Sequence, residues 1–127
     1  MKPDALDDAA RAFLTERHLA TLSLPRRDGS IQVVAIAFTY RDGIVRVITG
    51  GASVKARRLT DRPGLRANVC QVDGGRWLSL EGPAVVTDDP KRVAVAVELY
   101  GARYRQPADN PERVAIEITV DRITGRW

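Results

Sequence analysis

Between Asp4 and Arg17 the apolar residues Leu6, Ala9, Ala10, Phe13 and Leu14 recur at helical steps, with acids in the first turn. That spacing predicts one amphipathic helix, its N-terminal acids suited to the helix dipole. Beyond His18 the period falls to two. Leu19 to Leu24 alternates and stops at Pro25-Arg26-Arg27-Asp28-Gly29, so a first strand ends in a turn. Ile31 to Tyr40, rich in β-branched and aromatic residues, predicts a second strand, and Arg41-Asp42-Gly43 turns it into a third over Ile44–Thr49. Gly50-Gly51-Ala52-Ser53 breaks this pattern. Ser53 is placed to cap a short helix through about Thr60, which Asp61-Arg62-Pro63-Gly64 ends.

Arg66–Val72 and Arg76–Glu81 flank Asp73-Gly74-Gly75 as a further hairpin, and Gly82-Pro83 predicts a bend before Ala84–Thr87. Asp89-Pro90 places a capping acid before a proline at the first helical position, with Val93, Val97, Tyr100 and Tyr104 following at helical spacing. A long helix over about 90–104 is therefore predicted. After the loop at 106–111, Val114, Ile116, Ile118 and Val120 alternate along a closing strand over 113–120. Six or more strands joined by tight turns make an antiparallel sheet. Closing it into a barrel would remove exposed edges, with the helices over its ends. The expected fold is mainly β with flanking helices, in a single domain spanning residues 1–127.

Charge changes this picture little. The net charge of +4 comes from basic residues scattered among sixteen acids, and aromatics are only 6%, so a stacking nucleic-acid surface is not expected. No apolar run reaches the ~20 residues of a membrane span, and the N-terminus is acidic where a secretory signal is basic, so a cytoplasmic location is expected. Cys70 is the only cysteine, which rules out an intrachain disulfide and fits a reducing compartment. His18 is the only histidine, and its expected role is a dipole partner at a helix C-terminus. One cysteine and one histidine leave no zinc set, and neither a dinucleotide fingerprint nor a phosphate-binding P-loop is present.

Candidate chemistry concentrates in three places. From Ile48 to Leu59 a strand runs through small residues into a helix start carrying Lys55, Arg57 and Arg58. Free N–H groups and a positive dipole end there, and Lys55 and Arg58 share a helix face, so the pair could clasp a phosphate; a solvated basic helix fits the same residues equally well. From Gln71 to Gly82, alternation sends Trp77, Ser79 and Glu81 to one face and Leu78 and Leu80 to the other. A tryptophan beside a hydroxyl could line a planar ring, or pack beneath a helix. Val33 to Phe38 is nearly all apolar, as in a strand covered on both sides by core, a second chain or a ligand.

In this order and spacing, the opening helix, His18–Leu22, Val34–Tyr40, Ile48–Leu59, Trp77–Gly82 and the closing Asp121–Trp127 resemble the pyridoxamine 5′-phosphate oxidase-like split-barrel family. The likeness is greater to its branch that uses the deazaflavin coenzyme F420. The resemblance implies a homodimer with cofactor in a groove between subunits. Ser53, Lys55 and Arg58 would contact its phosphate, with Arg57 as a substitute. Val34, Ala35, Ile36 and Ala37 would back the tricyclic ring, with Trp77, Leu78 and Ser79 nearby or from the partner chain. The implied activity is hydride transfer from reduced F420 to a conjugated substrate such as biliverdin or a similar tetrapyrrole. FMN chemistry on the same fold, or non-catalytic binding of F420, FMN or haem, are the alternatives.

Overall fold

The computed structural model describes all 127 residues. Asp7 decides where the first helix begins. Its carboxylate accepts the Ala10 N–H at 2.8 Å, so α1 runs Asp8–Thr15, and Pro3–Ala5 forms only a 3-10 turn before an extended Leu6. An N-cap residue keeps extended dihedrals, which is why the helix predicted from Asp4 starts later. Phe13 and Leu14 on its inner face are buried.

Strands β1 (Ala20–Pro25) and β2 (Ile31–Ile36) form the first hairpin. The strand expected to continue to Tyr40 instead breaks after Ile36, and β3 covers only Thr39–Arg41. The break has an identifiable cause at the end of α3 (Pro90–Arg103), the helix capped by Asp89. Arg103 Nη1 donates to the Phe38 carbonyl at 2.7 Å. The Tyr104 hydroxyl lies 3.0 Å from the same carbonyl and accepts the Phe38 N–H. Phe38 therefore gives its backbone groups to a helix end in place of a neighbouring strand, and Ala37-Phe38 becomes a corner.

The β3 hairpin returns into β4 (Ile44–Gly50) through Asp42 and Gly43, whose φ values of 53° and 81° are the left-handed pair this tight turn requires. Helix α2 (Val54–Asp61) follows, then β5 (Leu65–Asp73), β6 (Arg76–Thr87), α3, β7 (Arg113–Thr119) and β8 (Arg122–Arg126). Every pairing is antiparallel, in the order β2-β1-β5-β6-β7-β4-β3 with β8 also on β6. The terminal strand β8 lies beyond the predicted closing strand. Only Ile123 within it is buried, so it shows no alternation.

Strand β6 changes partner midway, pairing with β8 over Trp77–Glu81 and with β7 over Ala84–Thr87. Gly82 stands at the change. A Cβ there would run into the Thr119 carbonyl, so only glycine lets β7 cross at that height. The sheet does not close: its terminal strands β2 and β3 are joined by the Ala37-Phe38 corner without pairing, which leaves a split barrel. Leu22, Val69, Leu78, Leu80, Ile116, Ile118 and Ile123 fill its interior with the face of α1. No helix is long and apolar enough to cross a membrane.

Candidate functional site

The corner that splits the barrel also opens a cleft of about 330 Å³. Ala35, Ile36 and Ala37 form one wall, Ile48–Gly50 at the end of β4 another, and Lys55 on the first turn of α2 enters from the side. Ser53 makes this geometry by capping: its Oγ accepts the Ala56 N–H at 3.2 Å, fixing where α2 starts. The first N–H groups of the helix are left without intrahelical acceptors and carry the positive dipole end. Lys55 is half-buried, and desolvation pulls its ammonium below the ordinary lysine range. No carboxylate lines the cleft. A partly desolvated cation without an acid partner, beside a helix N-terminus, suits an anionic group such as phosphate.

The other two candidate cations of α2 lie elsewhere. Arg57 and Arg58 line a separate groove of about 490 Å³ with Arg26, Arg27 and Arg62, facing the β1–β2 turn. The expected clasp of Lys55 with Arg58 is therefore divided between two hollows: the helix shares a face between these residues, but their long side chains diverge. Arg58 Nη1 is buried without a hydrogen-bond partner.

The strand alternation holds for the remaining candidates. Trp77 and Ser79 stand on the outer sheet face, and Leu78 is fully buried in the core between β5 and β8, where it meets no ligand. Val34 packs inward against the core, whereas Ala35 faces out and Ile36 is nearly buried. Ser79 pairs with Cys70, Cys70 with Thr21, and Thr21 with Ala35, so three strand steps of ~4.8 Å put Ser79 about 14 Å from Ala35. Within one chain the tryptophan segment does not reach the cleft.

Sequence reasoning missed Tyr100, Pro107, Asn110 and Arg113, which form the cleft's far wall. Tyr100 read as a member of α3's apolar stripe, and nothing in a loop of proline, alanine, aspartate and asparagine signals its neighbours. His18 is not a helix-end dipole partner, because α1 stops at Thr15. Its Nε2 meets Glu16 Oε1 at 2.9 Å and its ring packs on Phe13. Glu16 is gripped at both oxygens by Arg76, and these bonds lower its pKa to about 2.

A model of the family described as pyridoxamine 5′-phosphate oxidase matches residues 6–127. The chain belongs to that family. Within it, the chain is 52% identical over 122 residues to the F420H(2)-dependent biliverdin reductase of Mycobacterium tuberculosis (strain CDC 1551 / Oshkosh), covering 94% of this chain and 88% of that one. Its fold is shared with a solved F420 reductase at a TM-score of 0.74, 22% identity, and coverage of 94% and 98% of the two chains. It is shared also with HutZ, a haem storage protein from Vibrio cholerae, at 0.76, 13% identity, and coverage of 94% and 93%. These two likenesses show the fold alone, and a fold does not by itself decide a ligand.

Proposed function

We propose that this chain is an F420-dependent oxidoreductase that reduces a conjugated substrate of the tetrapyrrole class, biliverdin or a close analogue. The 52% identity across nearly the whole chain to a reductase of that name carries this reading. The acid-free cleft with its half-buried Lys55 fits the cofactor's need for a cation at its phosphate.

When bound, reduced F420 supplies the hydride from its C5 position. The chain's residues do the rest. Lys55 and the first N–H groups of α2 would hold the phosphate, and Ser53 fixes the helix start that presents them. Arg57 and Arg58 add positive potential from the neighbouring groove. Ala35, Ile36 and Ala37 offer a small, apolar wall that would back the flat ring and keep water from it, so that orientation and dryness would lower the barrier. No side chain is required as a nucleophile, and the proton that balances the hydride would come from solvent or from an arginine-bound water.

The protein acts as a homodimer with the cofactor at the subunit interface. Its outer sheet face presents Ile31 and Val33, each 58% exposed, Val72 at 59% and Trp77 at 39%. These form two exposed apolar pairs on that face, Ile31 with Val33 on β2 and Val72 beside Trp77 on β5 and β6, which favour a protein partner, and a second copy would bring Trp77 and Ser79 to the cleft they cannot reach alone. Anaerobic mixing of the protein with reduced F420 and biliverdin tests the reading. Oxidation of the deazaflavin with loss of biliverdin supports it; no oxidation, or turnover with reduced FMN alone, refutes it.

A further inference from the structure

The cleft does not end at Tyr100. The same ring, with Pro107, borders a second hollow of about 510 Å³ whose other walls are Arg105, Gln106 and Ala108. The two hollows thus share a floor at the C-terminal end of α3. Tyr100 is held in place there: its ring lies against Tyr104 with centroids 5.1 Å apart, and the Tyr104 hydroxyl is fixed within 2.8 Å of the His18 carbonyl and 3.0 Å of Phe38. The loop on the far side is also anchored, since Arg113 Nη2 donates to the Ala108 carbonyl and Gly51 N–H to the Glu112 carbonyl. Neither hollow is lined by any carboxylate. Arg105 is exposed and makes no hydrogen bond or ion pair within the chain.

We infer that this second hollow is the substrate subsite, with Tyr100 as the platform for a planar conjugated system and Arg105 as the group that receives its carboxylate. The inference rests on the reading of the first cleft as the cofactor site. It adds which residues select the substrate. A fixed aromatic face loses little entropy on stacking a flat ligand, and a free guanidinium in an acid-free surround favours bidentate pairing with a carboxylate. Substrates that are flat but uncharged would lie on Tyr100 without the Arg105 contact, and bind more weakly.

The test compares biliverdin with its dimethyl ester, whose carboxylates are blocked, in equilibrium titrations of F420-loaded protein followed by tetrapyrrole absorbance. Wild type, Arg105→Gln, Tyr100→Phe and Tyr100→Leu are measured, with F420 affinity recorded for each. Arg105→Gln is expected to weaken biliverdin binding about 10-fold, leaving the ester and F420 unchanged, since a charged hydrogen bond contributes roughly 1.5 kcal/mol or more. Tyr100→Phe should keep both ligands, and Tyr100→Leu should weaken both. Equal affinity for biliverdin in wild type and Arg105→Gln, or equal losses for biliverdin and ester, overturns the inference. Turnover is scored separately: Arg105-dependent binding without turnover sinks the proposed reaction alone, and turnover indifferent to Arg105 and Tyr100 sinks the subsite alone.

Discussion

Replacing Lys55 by glutamine separates a binding role from a structural one. Lys55 enters the corner cleft from the first turn of α2 and makes no ion pair within the chain; the cleft's other cation, Arg113, stands on the far wall with its guanidinium donating to the Ala108 carbonyl. A charged hydrogen bond to phosphate contributes about 1.5–3 kcal/mol, which at 1.4 kcal/mol per decade predicts a Kd for F420 roughly 10- to 100-fold higher in Lys55→Gln. Stability should move the other way. Burial lowers the pKa of Lys55, so folding disfavours its charged form. The sign follows: a lysine whose folded pKa lies below its unfolded value lets the unfolded state hold more protons, and stability rises with pH in the alkaline window just below 10.5. Lys55→Gln should lose that alkaline gain, and its unfolding midpoint near neutral pH should equal or exceed wild type. The assays are fluorescence titration with F420 and urea unfolding across pH. Unchanged F420 affinity, or a loss of affinity accompanied by a loss of stability, would refute the reasoning.

Other expectations concern the frame around the cleft. Arg103→Met leaves the Glu16 carbonyl and the Gln71 side-chain oxygen without their donor and the Phe38 carbonyl with the Tyr104 hydroxyl alone, and should cost about 3 kcal/mol in denaturant unfolding; a loss below about 1 kcal/mol would contradict the role of that guanidinium. Gly82→Ala forces the crossing of β6 and β7 apart and should cost about 1–3 kcal/mol by the same measurement, whereas an unchanged midpoint would mean that β7 can shift freely. Glu16 should titrate near 2 by NMR in wild type and return toward the ordinary 4.5 in Arg76→Ala. With its folded pKa depressed, Glu16 contributes stability above about 4.5 that is lost as pH falls toward 2, and an unshifted titration would remove that contribution.

Strands and helices with a repeating burial pattern were legible in the sequence because period and position agree. Asp89 and Ser53 cap where capping residues were expected, and the turns at Asp42-Gly43 and Gly74-Gly75 fall where expected, with Gly43 and Gly74 in the left-handed region that favours glycine. What stayed hidden depends on distant partners. Ile31 to Tyr40 reads as one strand, and only the end of α3, some 65 residues away, turns Phe38 into a corner. Lys55, Arg57 and Arg58 read as one cluster, yet side-chain direction rather than spacing assigns them to different hollows. Tyr100 carries no signal of its own beyond an apolar stripe; its place at the cleft follows from where α3 docks on β4 and β7.

The most direct test of the cofactor cleft is a backbone amide shift map of nitrogen-labelled protein titrated with F420. The account predicts the largest changes at Ala35–Ala37, Thr49–Gly51 and Val54–Lys55, saturating together. Changes confined to the Arg26–Arg62 groove, or to the core side of β5 and β6, would place the cofactor elsewhere and contradict it.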